Sequence, residues 1–173
     1  RLLPFHGGWT MMERMLQGKP VVVHGDGTSL WTLTHNTDFA KGFVPLLGNP
    51  LALGSAFQIT SDELLSWNQI YEMLAAALGV KPNLVHVPSD MIAAYDKIWG
   101  ESLLGDKAHS MIFDNTRIKR LVPDFTCTVP FARGAEQIAA WYMADPARRV
   151  VDSYFDALLD RIIAAMQSAY PKE

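Results

Sequence analysis

Histidine, tyrosine and cysteine offer the most scope for proton transfer, nucleophilic attack or metal binding, and this chain of 173 residues carries five, five and one of them. His6, His24, His35, His86 and His109 include no His-x-His or His-x-x-x-His pair, the spacings that bring two imidazoles to one side of a strand or helix around a metal ion. Cys127, being alone, excludes an internal disulfide and a cysteine-based zinc site and fits a reducing, cytoplasmic setting. His35 stands just before a run of helix-capping residues, where an imidazole serves as a structural hydrogen-bonder. Trp67 and Trp141 fall on amphipathic helical patterns and read as core residues. Trp99, in Lys97-Ile-Trp-Gly100, is a candidate for a pocket wall or for a packed surface aromatic.

The elements that position these residues are arranged around Pro20 to Ala40, PVVVHGDGTSLWTLTHNTDFA. Pro20 to His24 is a β-branched run, Asp26-Gly27 is a dipeptide suited to a two-residue turn, and Leu30 to His35 alternates at strand period. The pattern predicts a hairpin that feeds a helix from about Thr37 to Leu47, with Asn36, Thr37 and Asp38 as candidate caps and Pro45 disturbing its last turn. Ahead of it, Thr10-Met-Met-Glu13 reads as a capping box for a short helix that Gly18 stops. Behind it, Ala56 to Thr60 is a short strand candidate. Ser66-Trp-Asn-Gln69 is a second capping box, for a helix closed by Gly79. Leu84 to Val87 is another strand, and Ser89 caps the helix after it. Leu103 to Ser110 reads as loop. Asp114 caps a helix that stops before Pro123, and a further helix begins near Pro130. The last helix has the clearest period, with Val150, Val151, Tyr154, Phe155, Leu158, Leu159, Ile162, Ile163 and Met166 on one side. Alternating strands and helices argue for an α/β fold with at least one parallel pair.

Length and a hydrophobic content of 49% allow one core, so residues 1–173 read as a single region. A net charge of −3 shows no basic patch, which disfavours nucleic acid as a partner. No apolar run approaches the roughly 20 residues that span a bilayer, so no membrane partner is expected. The chain starts at Arg1 rather than Met, which reads as a fragment.

Gly25-Asp-Gly27-Thr, a strand ending in His35, a polar run with Asp38 and a small apolar helix start together resemble the C-terminal half of the extended short-chain dehydrogenases/reductases, the NAD-dependent epimerase/dehydratase family. Arg1-Leu-Leu-Pro4, the segment AFQITSDELLSWNQIYEMLAAALG and SMIFDNTRIKRLVPDF fit the same template, so that the resemblance covers roughly residues 1–145. It implies a chain of short strands packed with several helices, the substrate-binding portion of an oxidoreductase whose Rossmann half is missing. NAD or NADP would serve the intact parent, and none is expected to bind this chain. The nearest match to a dinucleotide G-x-G-x-x-G turn, Gly25-Asp-Gly27, lacks the third glycine. None of Tyr71, Tyr95, Tyr142, Tyr154 and Tyr170 has a lysine four residues on, so the family's catalytic Tyr–Lys pair is absent and no catalytic residue is assigned.

Through the resemblance, the candidate substrate-binding residues are His6, Trp9, Trp31, His35 and Leu103. In nucleotide-sugar members of the family an asparagine and two arginines hold the diphosphate. Arg1 stands where the asparagine would be, Trp31 in place of the arginine after the GDG motif, and Leu103 in place of the arginine before Gly105-Asp106. Losing two guanidinium forks removes the groups suited to phosphate oxygens, so a small-molecule substrate other than a nucleoside diphosphate sugar is expected. His6-Gly-Gly-Trp9 is also similar to the oxyanion loop of α/β-hydrolases, but no G-x-S-x-G elbow accompanies it. The competing expectation is a non-catalytic or RNA-binding relative of the family. The apolar stripe of 150–166 reads as a core face or, with its packing surface missing, as a homodimer contact.

Overall fold

The run Pro20-Val-Val-Val-His24 buries all three of its valines completely, the behaviour of a strand inside a parallel sheet. The computed structural model describes residues 3–171. In chain order its regular elements are α1 (Trp9–Leu16), β1 (Pro20–His24), β2 (Leu30–Trp31), α2 (Asn36–Phe43), β3 (Leu65–Ser66), α3 (Trp67–Ala77), β4 (Asn83–Val87), α4 (Ser89–Tyr95), α5 (Lys97–Ser102), α6 (Thr116–Leu121), α7 (Phe131–Met143) and α8 (Ser153–Ser168), with short 3₁₀ turns and one π-helical turn, Leu103–Lys107, between them. β1 pairs in parallel with β4, Pro20 opposite Asn83 and His24 opposite Val87. Helix α3 reaches β1 through the Tyr71 hydroxyl, which donates to the Val22 carbonyl at 3.1 Å. Helix α8 packs on both β1 and β4.

The predicted hairpin does not form. β2 pairs antiparallel with β3, Trp31 opposite Leu65, and not with β1. A two-residue type I′ turn needs positive φ at both central residues. Here Gly25 and Gly27 have φ of 60° and 72° while no described residue other than glycine has positive φ. Asp26 instead accepts from the Thr28 N–H and hydroxyl at 2.9 and 2.6 Å, which turns the chain away from β1. Asn68 secures the new direction by donating its backbone N–H to the Gly27 carbonyl.

Other local expectations are corrected in the same way. Helix α1 begins at Trp9, and Thr10 accepts the Asp152 N–H at 2.9 Å instead of capping. Residues 56–60 are extended but carry no ladder; Thr60 is held by the Asn115 side chain, and Phe57 and Ile59 pack on a small second core of Ile118, Val122 and Phe125. Pro88 and Asn115, one residue from the expected Ser89 and Asp114, occupy the cap positions of α4 and α6. The expected loop after Leu103 opens with the π-helical turn. The Ser66 capping box forms as predicted, with both reciprocal hydrogen bonds.

Helix α8 starts at Ser153, capped by Asp152, so Val150 and Val151 lie ahead of it. Phe155, Leu158, Leu159, Ile162 and Ile163 are buried within the chain, whereas Tyr154, expected to be buried within the chain or against a second copy, is 70% exposed in the single chain. No helix among the described residues is long and apolar enough to cross a membrane.

Candidate functional site

The loop ahead of α1 brings His6 against the first turn of α5, the helix that leads into the π turn. Pro4, Phe5, His6, His24, Trp67, Tyr71, Trp99, Ser102, Leu103 and Lys107 line a cleft of about 230 Å³. The His6 ring stacks on Trp99 with centroids 5.5 Å apart and meets the edge of Phe155 at 5.1 Å. The Lys107 ammonium lies 5.4 Å from the centre of the Trp31 ring and 2.9 Å from Asp106. Trp31 itself packs on Trp67 at 5.7 Å, one layer behind the cleft. The π turn exists where a helix takes in one extra residue, a distortion often placed at functional sites. Here it turns the Lys107 carbonyl toward His24 Nε2, 2.9 Å away, and toward the Ser29 hydroxyl.

A second, larger cleft of about 870 Å³ is lined by Leu3, Leu33, His35, Thr37, Phe131, Gln137 and their neighbours, between the starts of α2 and α7. His35 is the N-cap of α2, ahead of the three residues expected to cap it. Its Nδ1 accepts from the Thr37 N–H, so Nε2 carries the proton and donates to Gln137 Oε1 at 2.9 Å.

Asp38, expected as a cap, is fully buried. It binds Lys41 at 2.6 Å and accepts the Thr128 and Val129 N–H groups at 2.9 and 2.8 Å, fixing the wall of this cleft that leads into α7. Burial pushes its pKa up, but Lys41 and the two N–H donors outweigh burial and leave it below the ordinary value of 3.8. A depressed folded-state pKa stabilises the fold fully above the unfolded value and loses that contribution as the pH falls through the folded one. Urea titrations between pH 6 and pH 2 should therefore show stability falling below about 3.8, and Asp38→Asn should flatten the curve. An unchanged slope in the variant would assign the acid sensitivity to other carboxylates.

Burial is the main influence on the titratable groups of the smaller cleft. Burial lowers the His6 pKa below 6.5 against the opposing charges of Asp96 and Asp152, so the ring is neutral at pH 7. His24 is also lowered, chiefly by burial. The Tyr71 phenol is pushed up by burial and its proton is engaged by Val22, which removes it as a proton shuttle. No group of three or more His, Cys, Asp or Glu among the described residues could hold a metal ion.

Chains of known structure share this fold. UDP-glucuronic acid 4-epimerase from Bacillus cereus in complex with NAD superposes with a TM-score of 0.59 at 20% identity, over 78% of this chain and 38% of the epimerase. dTDP-glucose 4,6-dehydratase from Bacillus anthracis in complex with NAD gives 0.60 at 19% identity, over 85% of this chain and 40% of the dehydratase. The chain has the fold of the C-terminal portion of the NAD-dependent epimerases and dehydratases. No protein-family model matches it. Among curated proteins, 2'-dehydrokanamycin reductase from Streptomyces kanamyceticus is 32% identical over 108 residues, 62% of this chain. The chain spans 30% of that reductase's length.

Within this epimerase/dehydratase fold the residues expected to bind substrate are spread over three places. His6 and Leu103 line the smaller cleft, with Trp31 stacked behind it. His35 lines the larger cleft. Trp9 lines neither; it is buried, stacks on Tyr142 and donates its indole N–H to Glu13. Arg1 lies outside the described residues. Sequence reasoning missed His24, Trp67 and Lys107 as lining residues. Trp67 read as core from its place on an amphipathic helix, and it is core, 1% exposed, as well as lining the cleft. Lys107 lay in an apparent loop, and the only signal for it was its place four residues after Leu103.

Proposed function

We propose that this chain is the substrate-binding part of an NAD(P)-dependent oxidoreductase, an epimerase/dehydratase or reductase, acting on a small molecule that is not a nucleoside diphosphate sugar. The observation that carries the proposal is the fold, which covers 78% of this chain yet only 38% of an NAD-bound epimerase. The remaining length of such an enzyme is where a Gly-rich turn and a Tyr–Lys pair would reside. The choice of substrate follows from the cleft, where Leu103 is apolar and Trp31 stands behind Trp67, so that among the described residues no guanidinium lines it to meet a diphosphate. The 32% identity to 2'-dehydrokanamycin reductase over 108 residues supports the reductase form of this reading.

On this reading the cofactor belongs to the other half of the parent. Calorimetric titration of NAD and NADP into the purified chain should give no saturable binding at micromolar concentration, because pyrophosphate affinity comes from a Gly-rich turn at a helix N-terminus. Co-expressing the coding sequence upstream of Arg1 should restore it. Saturable binding to the chain alone would place a cofactor site within it and overturn the assignment.

A further inference from the structure

We propose that residues 56–60 and the exposed flank of α2 form a docking edge for one further β-strand, supplied by a sheet in the part of the parent polypeptide that precedes Arg1. The inference rests on the reading above, that this chain is one part of a longer oxidoreductase, and names the surface by which the parts join.

The backbone of the segment is the first argument. Along an extended chain, the N–H and C=O groups of successive residues point to opposite edges. Ala56 and Thr60 face α6. The Ala56 carbonyl accepts from Arg117 at 3.0 Å, and Thr60 engages the Asn115 side chain through its N–H at 3.2 Å and its carbonyl at 2.9 Å. Phe57 and Ile59 therefore turn their N–H and C=O groups to the other edge, where they have no hydrogen-bond partner among the described residues. Ser61, next along that edge, is met by the Thr34 hydroxyl at 2.9 Å. The side chains of Phe57 and Ile59 pack on the second core. The segment is thus held from one edge and one face while its second edge stays open, which makes it a template for strand addition.

The helix laid over the segment is the second argument. Helix α2 crosses it at Gly42, where a Cβ would lie 2.7 Å from Ile59 Cγ2. A helix is about 10 Å across and strands lie about 4.8 Å apart, so a helix covers two strands. Among the described residues α2 has one. At about 100° per residue, Phe39 and Phe43 fall on the flank of α2 away from the buried Asp38. Their rings stack at 5.5 Å yet remain 42% and 43% exposed, and Val44 and Leu47 just beyond are exposed as well. This apolar flank is what a neighbouring strand would cover.

The occupant follows from where the chain enters. Leu3 lines the larger cleft together with Thr34, the residue that meets Ser61 on the open edge. The polypeptide joined to Leu3 in the parent therefore arrives beside that edge. A second copy offers less. Two such segments would make an isolated two-stranded ladder, which is marginal in water, whereas a strand already in a sheet brings its own support.

Amide hydrogen exchange, read residue by residue by NMR, tests this on the chain alone and on the same chain joined to its upstream coding sequence. The Phe57 and Ile59 amides should exchange quickly in the chain alone and at least about a hundredfold more slowly in the joined protein. Phe43→Asp should leave the thermal melt of the chain alone unchanged and remove about tenfold of that protection in the joined protein. Unprotected Phe57 and Ile59 amides in the joined protein, or undiminished protection in the variant, would overturn the inference. Protection in the chain alone that grows with its concentration would also overturn it, by making a second copy the occupant. The wild-type comparison does not depend on the variant folding. NAD(P) binding by the joined protein is measured separately. Binding without protection removes the docking edge alone, and protection without binding removes the oxidoreductase reading alone.

Discussion

Arg14→Met is expected to lower the free energy of unfolding by about 2–3 kcal/mol, the cost of losing charge-assisted hydrogen bonds from a buried guanidinium to carboxylates that keep some contact with water. Arg14 is 2% exposed, inside the chain, and its guanidinium ties α1 to the start of β1 and to α8. Nε donates to the Pro20 carbonyl at the start of β1 at 2.8 Å. Nη1 donates to the Asp156 carboxylate at 2.6 Å and to its carbonyl at 3.2 Å, and Nη2 donates to Asp160 at 2.7 Å. Methionine retains the apolar stem, so the loss measures the polar contacts. Asp160 is 61% exposed at its side chain and would simply rehydrate. Asp156 is 25% exposed and would keep only Lys19, 3.6 Å away, while the Pro20 carbonyl would be left without its donor. Urea unfolding with an unchanged m-value gives the number, and hydrogen exchange should show α8 opening first. A loss below about 1 kcal/mol would mean that the apolar contacts of α8 hold it without the ion pair.

Arg14 also marks how far the sequence can be read. The helices were legible because their apolar residues repeat at 3.6, and that period depends only on the helix itself. Phe155, Leu158 and Ile162 fall inside on that ground alone. What the period does not encode is the partner. A lone arginine among methionines on α1 gives no sign of carboxylates more than 140 residues away. The same limit explains the missed sheet. Val21–Val23 is strand material whichever strand it meets, and Asp26-Gly27 suggested the nearest one. The three consecutive buried valines are better matched by a parallel neighbour, which requires a crossover and so lies far along the chain at β4.

Most of what was legible of the site coincided with a family template, although Trp99, read from its own stretch as a candidate pocket wall, also lines the cleft. His6 and Leu103 came from that template and do share a cleft. His24 and Lys107 meet through a backbone carbonyl turned outward by a single π-helical turn, and no side-chain pattern announces such a turn. Asp38 illustrates a subtler failure: its residue type suits a cap, and its position three residues behind His35 puts it instead on the buried side of α2, where two backbone N–H groups of another segment take the carboxylate.

Gly7→Ala should destabilise the chain by about 3 kcal/mol and at the same time displace His6, because this glycine is where the C-terminal helix meets the candidate site. Its φ is +80°, which for an L-residue costs about 1–2 kcal/mol. A Cβ there would lie 1.9 Å from Phe155 Cε1 and 2.4 Å from Cδ1, a collision that adds about 1–3 kcal/mol of overpacking. Phe155 cannot retreat freely, since its ring also packs on Trp99 at 5.4 Å and its backbone N–H is held by Asp152. The loop must therefore shift, and the His6–Trp99 stack that borders the cleft shifts with it. Two comparisons separate the terms. Gly18→Ala, at φ +67° with open space around its Cβ, reports the conformational cost alone. Gly7→Ala in a Phe155→Leu background should recover part of the collision cost but none of the conformational one, giving a coupling of roughly 1–2 kcal/mol in a double-mutant cycle. If Gly7→Ala costs no more than Gly18→Ala, the loop accommodates a side chain against α8. The contact with Phe155 would then not be what fixes His6 in the cleft.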